Sequence, residues 1–238
     1  MGRAYEVRKA SIQKTGAAKA KLYSMYAREI YQAAKTGGTE TESNITLKRL
    51  VDKAKKEQVP MDIIKRAIDK VNSGADESYT GTTYELFGPG GSTLMVECLT
   101  DNVNRSVSNI RAALNKTNSK MGASGSVSYM YDHLCVVGFK GLSEEDVMNA
   151  MIEHDIDFND LEDEDGLITV YGDPQDLYKI KEAILSVNPK LEFELDEISY
   201  FSKDKITLSG DDLEYFNKLL TMLDDIEDVQ NVYHNVEL

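Results

Sequence analysis

The chain has 238 residues, of which 41% are hydrophobic and 29% charged, a length that suits two or three globular domains. Its 27 Lys and Arg against 41 Asp and Glu give a formal net charge of −14, which taken alone argues against a protein that wraps nucleic acid. No stretch approaches the roughly 18 apolar residues of a membrane span, and residues 1–21 are too basic and polar for a secretory signal.

The two cysteines, Cys98 and Cys135, each lie within a short apolar run of sequence. This placement indicates thiols that pack as small hydrophobic side chains, whereas secreted chains held by disulfides use cysteine more densely. The sequence therefore predicts a cytoplasmic protein without a disulfide framework.

Charge is distributed unevenly along the chain. Residues 1–78 carry 16 basic and ten acidic side chains, a net charge of +6, and residues 79–132 are neutral overall. Residues 133–238 carry seven basic and 27 acidic side chains, a net charge of −20. Such asymmetry indicates domains with different roles: the basic segment suits phosphate groups, and the acidic segment repels them. The alternative is that both charges only solvate the surface.

Three amphipathic helices are predicted in the first segment. Apolar spacing of three and four residues predicts a helix over about 17–35, ended by Gly37 and Gly38. A second helix begins near Asn44 and a third after Pro60. The apolar stripes are Leu22, Met25, Tyr26, Ile30 and Ala33; Leu47, Leu50, Val51 and Ala54; and Ile63, Ile64, Ala67, Ile68 and Val71. Short turns between such helices predict a small bundle, preceded by a basic arm at residues 1–16.

Strand patterns begin near Tyr79, and the change predicts a hinge around Asn72–Tyr79. The predicted strands are 83–87, 92–99, near 126–131, 134–139, 155–160, 166–171, 191–195 and 229–236, with 198–208 as one long strand or a strand pair. The predicted helices begin after Asp101, after Ser143, at Pro174 and after Ser209. Residues 133–196 thus read β-α-β-β-α-β, the split βαβ order of ferredoxin-like domains.

These elements predict an α+β protein with an N-terminal three-helix bundle followed by two α/β domains, the third inserted in the second. The predicted domains are residues 1–78, residues 79–132 together with 197–238, and the acidic insertion 133–196.

No sequence motif supports catalysis. The glycine-rich turn at 88–91 lacks the lysine of a phosphate loop, and the turn at 122–126 leads into a predicted strand, unlike a nucleophile elbow. The acidic run 155–160 lacks the glycine and glutamate of a calcium loop. His133, His154 and His234 are dispersed, with no metal-ligand spacing. We therefore expect no enzyme activity, metal or cofactor.

Basic side chains in the first segment are the candidate nucleic-acid contacts. They are Lys9, Lys14, Lys19, Lys21, Arg28, Lys48, Arg49, Lys53, Lys55, Lys56 and Arg66. Five of them, from Lys48 to Lys56, share one face of the second predicted helix, opposite its apolar stripe. Tyr23, Tyr26 and Tyr31 lie between the charges of the first helix and could stack on bases. The alternative is a solvated bundle surface over a core that contains the tyrosines.

Several long runs of sequence resemble one known family over essentially the full chain. They are KLYSMYAREIYQAAKTGG (21–38), DKAKKEQVP (52–60), YELFGPGG (84–91), VECLTDNVNRSVSNIR (96–111) and GSVSYM (125–130). They resemble the YebC/PmpR family of cytoplasmic DNA-binding transcriptional regulators, which has the domain organisation predicted above. The arm GRAYEVRKASIQK lacks the Trp of many members and is similar to the YeeN-like branch, so contacts of that arm are not transferred here.

The resemblance implies a transcriptional regulator that binds DNA through the basic helical domain. A mitochondrial relative activates translation of cytochrome oxidase subunit I, and some bacterial relatives are implicated at the ribosome, which leaves a translation factor that binds ribosomal RNA as the alternative. A third hypothesis is a protein partner bound through the acidic C-terminal domains. The family supplies no catalytic residues.

Overall fold

A computed structural model describes residue 3, residues 19–74 and residues 77–238. The chain forms two compact units, one containing Tyr129–Asp204 and the other containing residues 19–128 and Lys205–Leu238 apart from the gap at 75–76. The described part holds seven α-helices and two antiparallel four-stranded sheets, which confirms the α+β class. The predicted basic arm at 1–16, apart from Arg3, and two residues of the predicted hinge lie outside the described residues.

Three helices open the larger unit: α1 (Lys19–Gly37), α2 (Ile45–Lys56) and α3 (Met61–Asn72). Their apolar stripes meet in one core that includes Tyr26, Ile30 and Leu47. Asn44 joins α1 to α2, because its side chain accepts the Leu47 N–H at 3.0 Å and donates to the carbonyls of Ala33 and Gly38 at 2.8 and 2.7 Å. The predicted three-helix bundle is therefore present.

The rest of this unit is an antiparallel sheet with two helices. Its elements are β1 (Thr80–Phe87), β2 (Thr93–Thr100), α4 (Val103–Asn115), β3 (Lys120–Met121), α7 (Gly210–Asp224) and β8 (Val229–His234). The strand order is β3-β1-β2-β8, and Tyr84 is paired with Val96 in the central hairpin. Residues of both helices, such as Ile110 and Phe216, share one core with the sheet.

The smaller unit is a complete split βαβ domain. It contains β4 (Tyr131–Phe139), α5 (Glu144–Glu153), β5 (Asp160–Glu164), β6 (Leu167–Gly172), α6 (Leu177–Val187) and β7 (Phe193–Ser202). The strand order is β5-β6-β4-β7, and all neighbouring strands are antiparallel. Helix α5 therefore joins β4 to β5 with β6 between them, and α6 joins β6 to β7 with β4 between them. Phe139, Val147 and Ile180 belong to its core. At Gly138 an added Cβ would lie 2.9 Å from the Leu195 side chain, so a glycine permits this close packing.

Four of the predicted strands differ from the structure. The segment near 126–131 is a loop and a short 3-10 turn, because the Glu85 carboxylate takes the backbone N–H groups that a strand would pair. The strand predicted at 155–160 lies instead at Asp160–Glu164, as β5. Its sequence DLEDE has one apolar residue and therefore no apolar alternation that could indicate a strand. The predicted strands 191–195 and 198–208 are one strand, β7, that pairs along β4 with an irregularity at Gly138/Phe139, and Ile206 forms only an isolated bridge to Val236.

The compact inserted unit spans Tyr129–Asp204, whereas the predicted insertion spans 133–196. It is longer by four residues at its N-terminal end and by eight at its C-terminal end, because β4 and β7 pair along their full lengths. The further division of the larger unit into a helical domain and an α/β domain stays a prediction.

Candidate nucleic-acid interface

The outer face of α2 carries the densest group of candidate residues. Its five cations, called here the α2 basic face, are Lys48, Arg49, Lys53, Lys55 and Lys56. Leu47, Val51 and Ala54 on the opposite side are buried in the bundle core. Since residues three, four and seven apart share a helix face, burial of this stripe forces the cations outward.

The cations of the α2 basic face differ in exposure and in partners. Lys48, Lys55 and Lys56 are exposed, whereas Arg49 and Lys53 are half-buried. Lys48 and Lys55 lie 3.4 Å from the carboxylates of Glu42 and Asp52, and all four side chains are more than half exposed. Pairs of this kind contribute little to stability, so an approaching phosphate can replace the carboxylate at small cost.

Lys21 and Arg28, on α1, do not point freely outward but bind the acidic loop Asp224–Asp228, which runs from the last residue of α7 to the start of β8. Lys21 Nζ lies 2.8 Å from the Asp224 carboxylate and also donates to the Asp224 carbonyl. Arg28 forms an ion pair with Glu227 and donates to the Glu227 carbonyl at 3.0 Å. These two candidate contacts therefore hold the bundle against the α/β part of the same unit.

Asp228 is the central group of this contact. It is 2% exposed and accepts two hydrogen bonds from Arg105, at 2.7 and 3.2 Å, and one from Ser106 at 2.8 Å. Arg28 adds an ion pair at 3.3 Å. Burial alone would raise the pKa of Asp228, but the hydrogen bonds from Arg105 and Ser106 outweigh it and hold the pKa below its ordinary value.

The remaining candidates are spread over α1, α3 and the arm. Lys19 is exposed at the start of α1. Arg66 on α3 is 72% exposed and pairs with Asp62 one turn earlier. Lys9 and Lys14 lie outside the described residues. The structure thus groups five candidates on α2 and places the other described ones apart.

Tyrosines of α1 were a candidate stacking surface, and two of them belong to the core instead. Tyr26 is 1% exposed and Tyr31 2% exposed, so neither can lie flat on an external base. Tyr23 is half-buried. The core interpretation is therefore correct for Tyr26 and Tyr31.

Tyr23 contributes to a groove between α1 and α3, the α1–α3 groove, with a cavity volume of about 480 Å³. Ala27 and Ala67 are among the small residues that leave this space. The polar and aromatic lining comprises Ser24, Arg28, Tyr31, Arg66, Lys70, Glu77, Tyr79 and Glu227. Sequence reasoning missed the groove, because Tyr79 lies after the bundle and only the fold brings it beside α1.

Two buried carboxylates were also missed by the sequence analysis. The sequence pattern gives Asp228 no role beyond the charge of the acidic segment and Glu85 no role beyond a position in a predicted strand. Glu85 accepts the backbone N–H groups of Gly125, Val127 and Ser128 at 2.6, 2.5 and 2.9 Å. A lone acid within an apolar strand, as in YELF, was the signal that could have revealed it.

Arg3 was not among the candidate contacts, and it binds the acidic strand β5 of the smaller unit. Its guanidinium lies 4.1 Å from the ring centroid of Tyr171 and 3.1 Å from Glu162, and it also pairs with Asp160. The acidic surface thus already holds one arginine side chain of this chain.

Both cysteines are buried, Cys98 in the larger unit and Cys135 in the smaller one. Burial raises the pKa of the Cys98 thiol to about 12 and that of Cys135 to about 11. Across the described ranges, no three His, Cys, Asp or Glu side chains are grouped to hold a metal ion. In the same part of the chain, no helix is both long and apolar enough to span a membrane.

Comparison with known proteins gives the family. A model of the TACO1/YebC N-terminal domain matches residues 3–74, and a model of the TACO1/YebC second and third domains matches residues 79–236. Relatives from Pseudoalteromonas atlantica and Marinobacter nauticus are each 47% identical, over 99% and 100% of this chain and 97% and 99% of their own length. Both are named "probable transcriptional regulatory protein".

A solved structure has the same fold. It is a conserved hypothetical protein of Aquifex aeolicus, 31% identical, with a TM-score of 0.73 over 94% of this chain and 92% of that one. Matches to both family models and to full-length relatives at this identity leave one conclusion: the chain belongs to the TACO1/YebC family.

Proposed function

We propose that the chain is a non-catalytic cytoplasmic regulatory protein that binds DNA through the α2 basic face. The observation that carries this proposal is the grouping of five cations on the outer side of one helix whose inner side is fixed in the bundle core. Phosphate contacts from such a face supply binding that does not depend on sequence and that weakens with salt. The naming of the relatives supports the regulatory role.

A second candidate function is binding to ribosomal RNA as a translation factor. The composition of α2 favours it, since the helix ITLKRLVDKAKK contains no Asn or Gln for base edges. Four of its five cations are lysines, which act as point charges toward phosphate more than as readers of bases. We therefore propose that the protein prefers any one duplex DNA sequence over random duplex by less than about a hundredfold in affinity. Typical sequence-specific DNA-binding proteins prefer their site by roughly 10³ or more.

The acidic inserted unit has a different proposed role. Residues 129–204 contain 20 Asp and Glu and five Lys, so this surface repels phosphate. We propose that it faces away from the nucleic acid, where it is available to a basic protein partner.

A binding experiment tests the role of α2. If about five phosphates are neutralised, the slope of log affinity against log salt on duplex DNA is near −4.5. Replacing Lys48, Arg49, Lys53, Lys55 and Lys56 with Gln is expected to flatten this slope, because the apolar stripe stays intact. The matched control replaces five exposed lysines elsewhere, Lys116, Lys140, Lys179, Lys190 and Lys218, with Gln. Equal binding by the two variants would refute the proposal.

Competition separates the two targets. Labelled promoter fragments are displaced with random duplex and with structured ribosomal RNA. A thousandfold preference for one promoter, unaffected by RNA, would remove the ribosomal candidate. Efficient displacement by the RNA, together with weak promoter preference, would favour it.

A further inference from the structure

The α1–α3 groove lies on the domain proposed to bind nucleic acid, yet on a different surface from the α2 basic face. Its volume of about 480 Å³ falls within the roughly 300–1,000 Å³ of small-molecule sites. Ala27 and Ala67 belong to its lining, and their short side chains let a flat group approach the two helix backbones. The space suits a group of the size of one nucleotide, whereas a duplex cannot enter it.

Aromatic rings line this groove, and two of them are held by hydrogen bonds to Glu77. The rings of Tyr79 and Tyr31 meet edge to face with centroids 5.8 Å apart. Glu77 fixes both: its carboxylate accepts the Tyr79 hydroxyl at 2.9 Å and its carbonyl accepts the Tyr31 hydroxyl at 3.1 Å. Tyr79 and Tyr23 are only half-buried, so each presents part of its ring to the groove. Such rings are platforms on which an unpaired base stacks.

Two cations at the groove are available to a phosphate. The side chains of Arg66 and Lys70 are 72% and 45% exposed. Arg66 pairs with Asp62, and Lys70 lies 2.6 Å from the Glu77 carboxylate. Because both ion pairs face water, exchange of the carboxylate for a phosphate oxygen is inexpensive. Arg28, by contrast, is occupied by the acidic loop and contributes positive charge rather than a contact.

The groove also contains acceptors. The carboxylates of Glu77 and Glu227 belong to its lining, beside the aromatic rings and the cations. A ligand that matches all three features carries a flat ring, an N–H donor and an anionic group. A nucleotide whose base has an exocyclic amino group has this combination.

We propose that the α1–α3 groove binds one unpaired nucleotide of a single-stranded segment, with its base against Tyr23 and Tyr79 and its phosphate on Arg66 and Lys70. This inference rests on the proposed function. In addition to the phosphate contacts of the α2 basic face, it gives the protein one contact with a base. It assigns single-stranded or looped nucleic acid, rather than continuous duplex, as the target of this surface.

The test uses the full chain and two labelled RNA strands of twelve nucleotides each. One strand consists of adenosines, and in the other the adenosines are replaced by abasic sites. Both strands carry the same charge, so a difference in affinity measured by fluorescence anisotropy reports on the bases. Stacking of one base corresponds to roughly a fivefold to hundredfold gain in affinity. We expect the adenosine strand to bind at least fivefold more tightly. Equal affinity of the two strands would overturn the proposal.

Variants locate the contact. Arg66→Gln with Lys70→Gln is expected to weaken binding of the adenosine strand about tenfold. The matched control is Lys65→Gln with Lys116→Gln, which removes the same charge from exposed positions that do not line the groove. Tyr23→Leu is expected to abolish the preference for the adenosine strand, whereas Tyr23→Phe keeps it. Circular dichroism checks that each variant is folded.

The outcomes distinguish this inference from the proposed function. A control variant as weak as the groove variant, or a base preference unchanged by Tyr23→Leu, would overturn the groove site alone while salt-dependent binding through α2 persists. Absence of binding to every strand and duplex would overturn both.

Discussion

At the scale of single residues, Glu85 shows how one buried carboxylate shapes a loop. Glu85 lies in β1 and is 8% exposed. Its carboxylate oxygens accept the backbone N–H groups of Gly125, Val127 and Ser128, which in a strand would donate to carbonyls of a neighbouring strand. Burial tends to raise its pKa, but the three backbone N–H groups outweigh this effect and hold the pKa below its ordinary value. The loop is therefore held by a group that is ionised at neutral pH.

Replacing this carboxylate tests its role. Glu85→Gln offers one carbonyl oxygen and brings an NH₂ group toward backbone N–H donors, so we expect a loss of about 2 kcal/mol in the free energy of unfolding at pH 7. Since the folded pKa is lowered, the stabilisation by Glu85 is present above about pH 4.5 and fades as pH falls through the folded value. Urea unfolding at pH 7 and pH 3.5 should show the gap to the native chain narrowing in acid. Glu214→Gln, at an exposed position of α7, serves as control.

Asp228 supports a second prediction. Asp228→Asn removes the charge that Arg28 and Arg105 share, and we expect a loss of about 2 kcal/mol. The loss is smaller than for a fully buried pair, because the Arg105 side chain is 45% exposed and can turn to water. Asp225→Asn, on the same loop but exposed, should change the unfolding midpoint in urea little. A similar effect of both changes would contradict a specific role for Asp228.

At the scale of elements, prediction from the sequence succeeded where one apolar stripe dominates. The helices of the bundle and the β1–β2 hairpin followed directly from apolar spacing and from the turns at Gly37 and at 88–91. Prediction failed for β5, whose sequence DLEDE has one apolar residue and so no apolar alternation, and for β7, whose continuity depends on pairing with β4. Strand pairing is a long-range property that local spacing does not contain.

The junction of α1 and α2 allows a third prediction. Asn44→Ala removes the N-cap of α2 and both hydrogen bonds to the end of α1, so we expect a loss of about 2 kcal/mol in thermal or urea unfolding. Ser43→Ala removes only an exposed hydrogen bond to Glu40 and should cost far less. Equal losses would show that the Asn44 bonds do not stabilise the junction.

At the scale of the whole molecule, the sequence located the basic and acidic regions but not their partners within the fold. In the sequence, Lys21 and Arg28 cannot be told apart from Lys48, since each is a cation on a predicted helix. Lys21 and Arg28 are engaged within the protein because the fold brings the acidic loop Asp224–Asp228 beside α1, which the sequence does not reveal. The α2 basic face was predictable because both its charges and its buried stripe lie within twelve residues.

The two cysteines give the protein an internal pair of reporters. Each compact unit contains one, and at neutral pH both are shielded, protonated thiols, so a thiol reagent modifies either only after the surrounding unit opens. Mass spectrometry of peptides with Cys98 and Cys135 therefore times the opening of the two units separately in one sample. We expect Asp228→Asn to hasten alkylation of Cys98 and leave that of Cys135 unchanged. Equal acceleration at both positions would mean that the units open together.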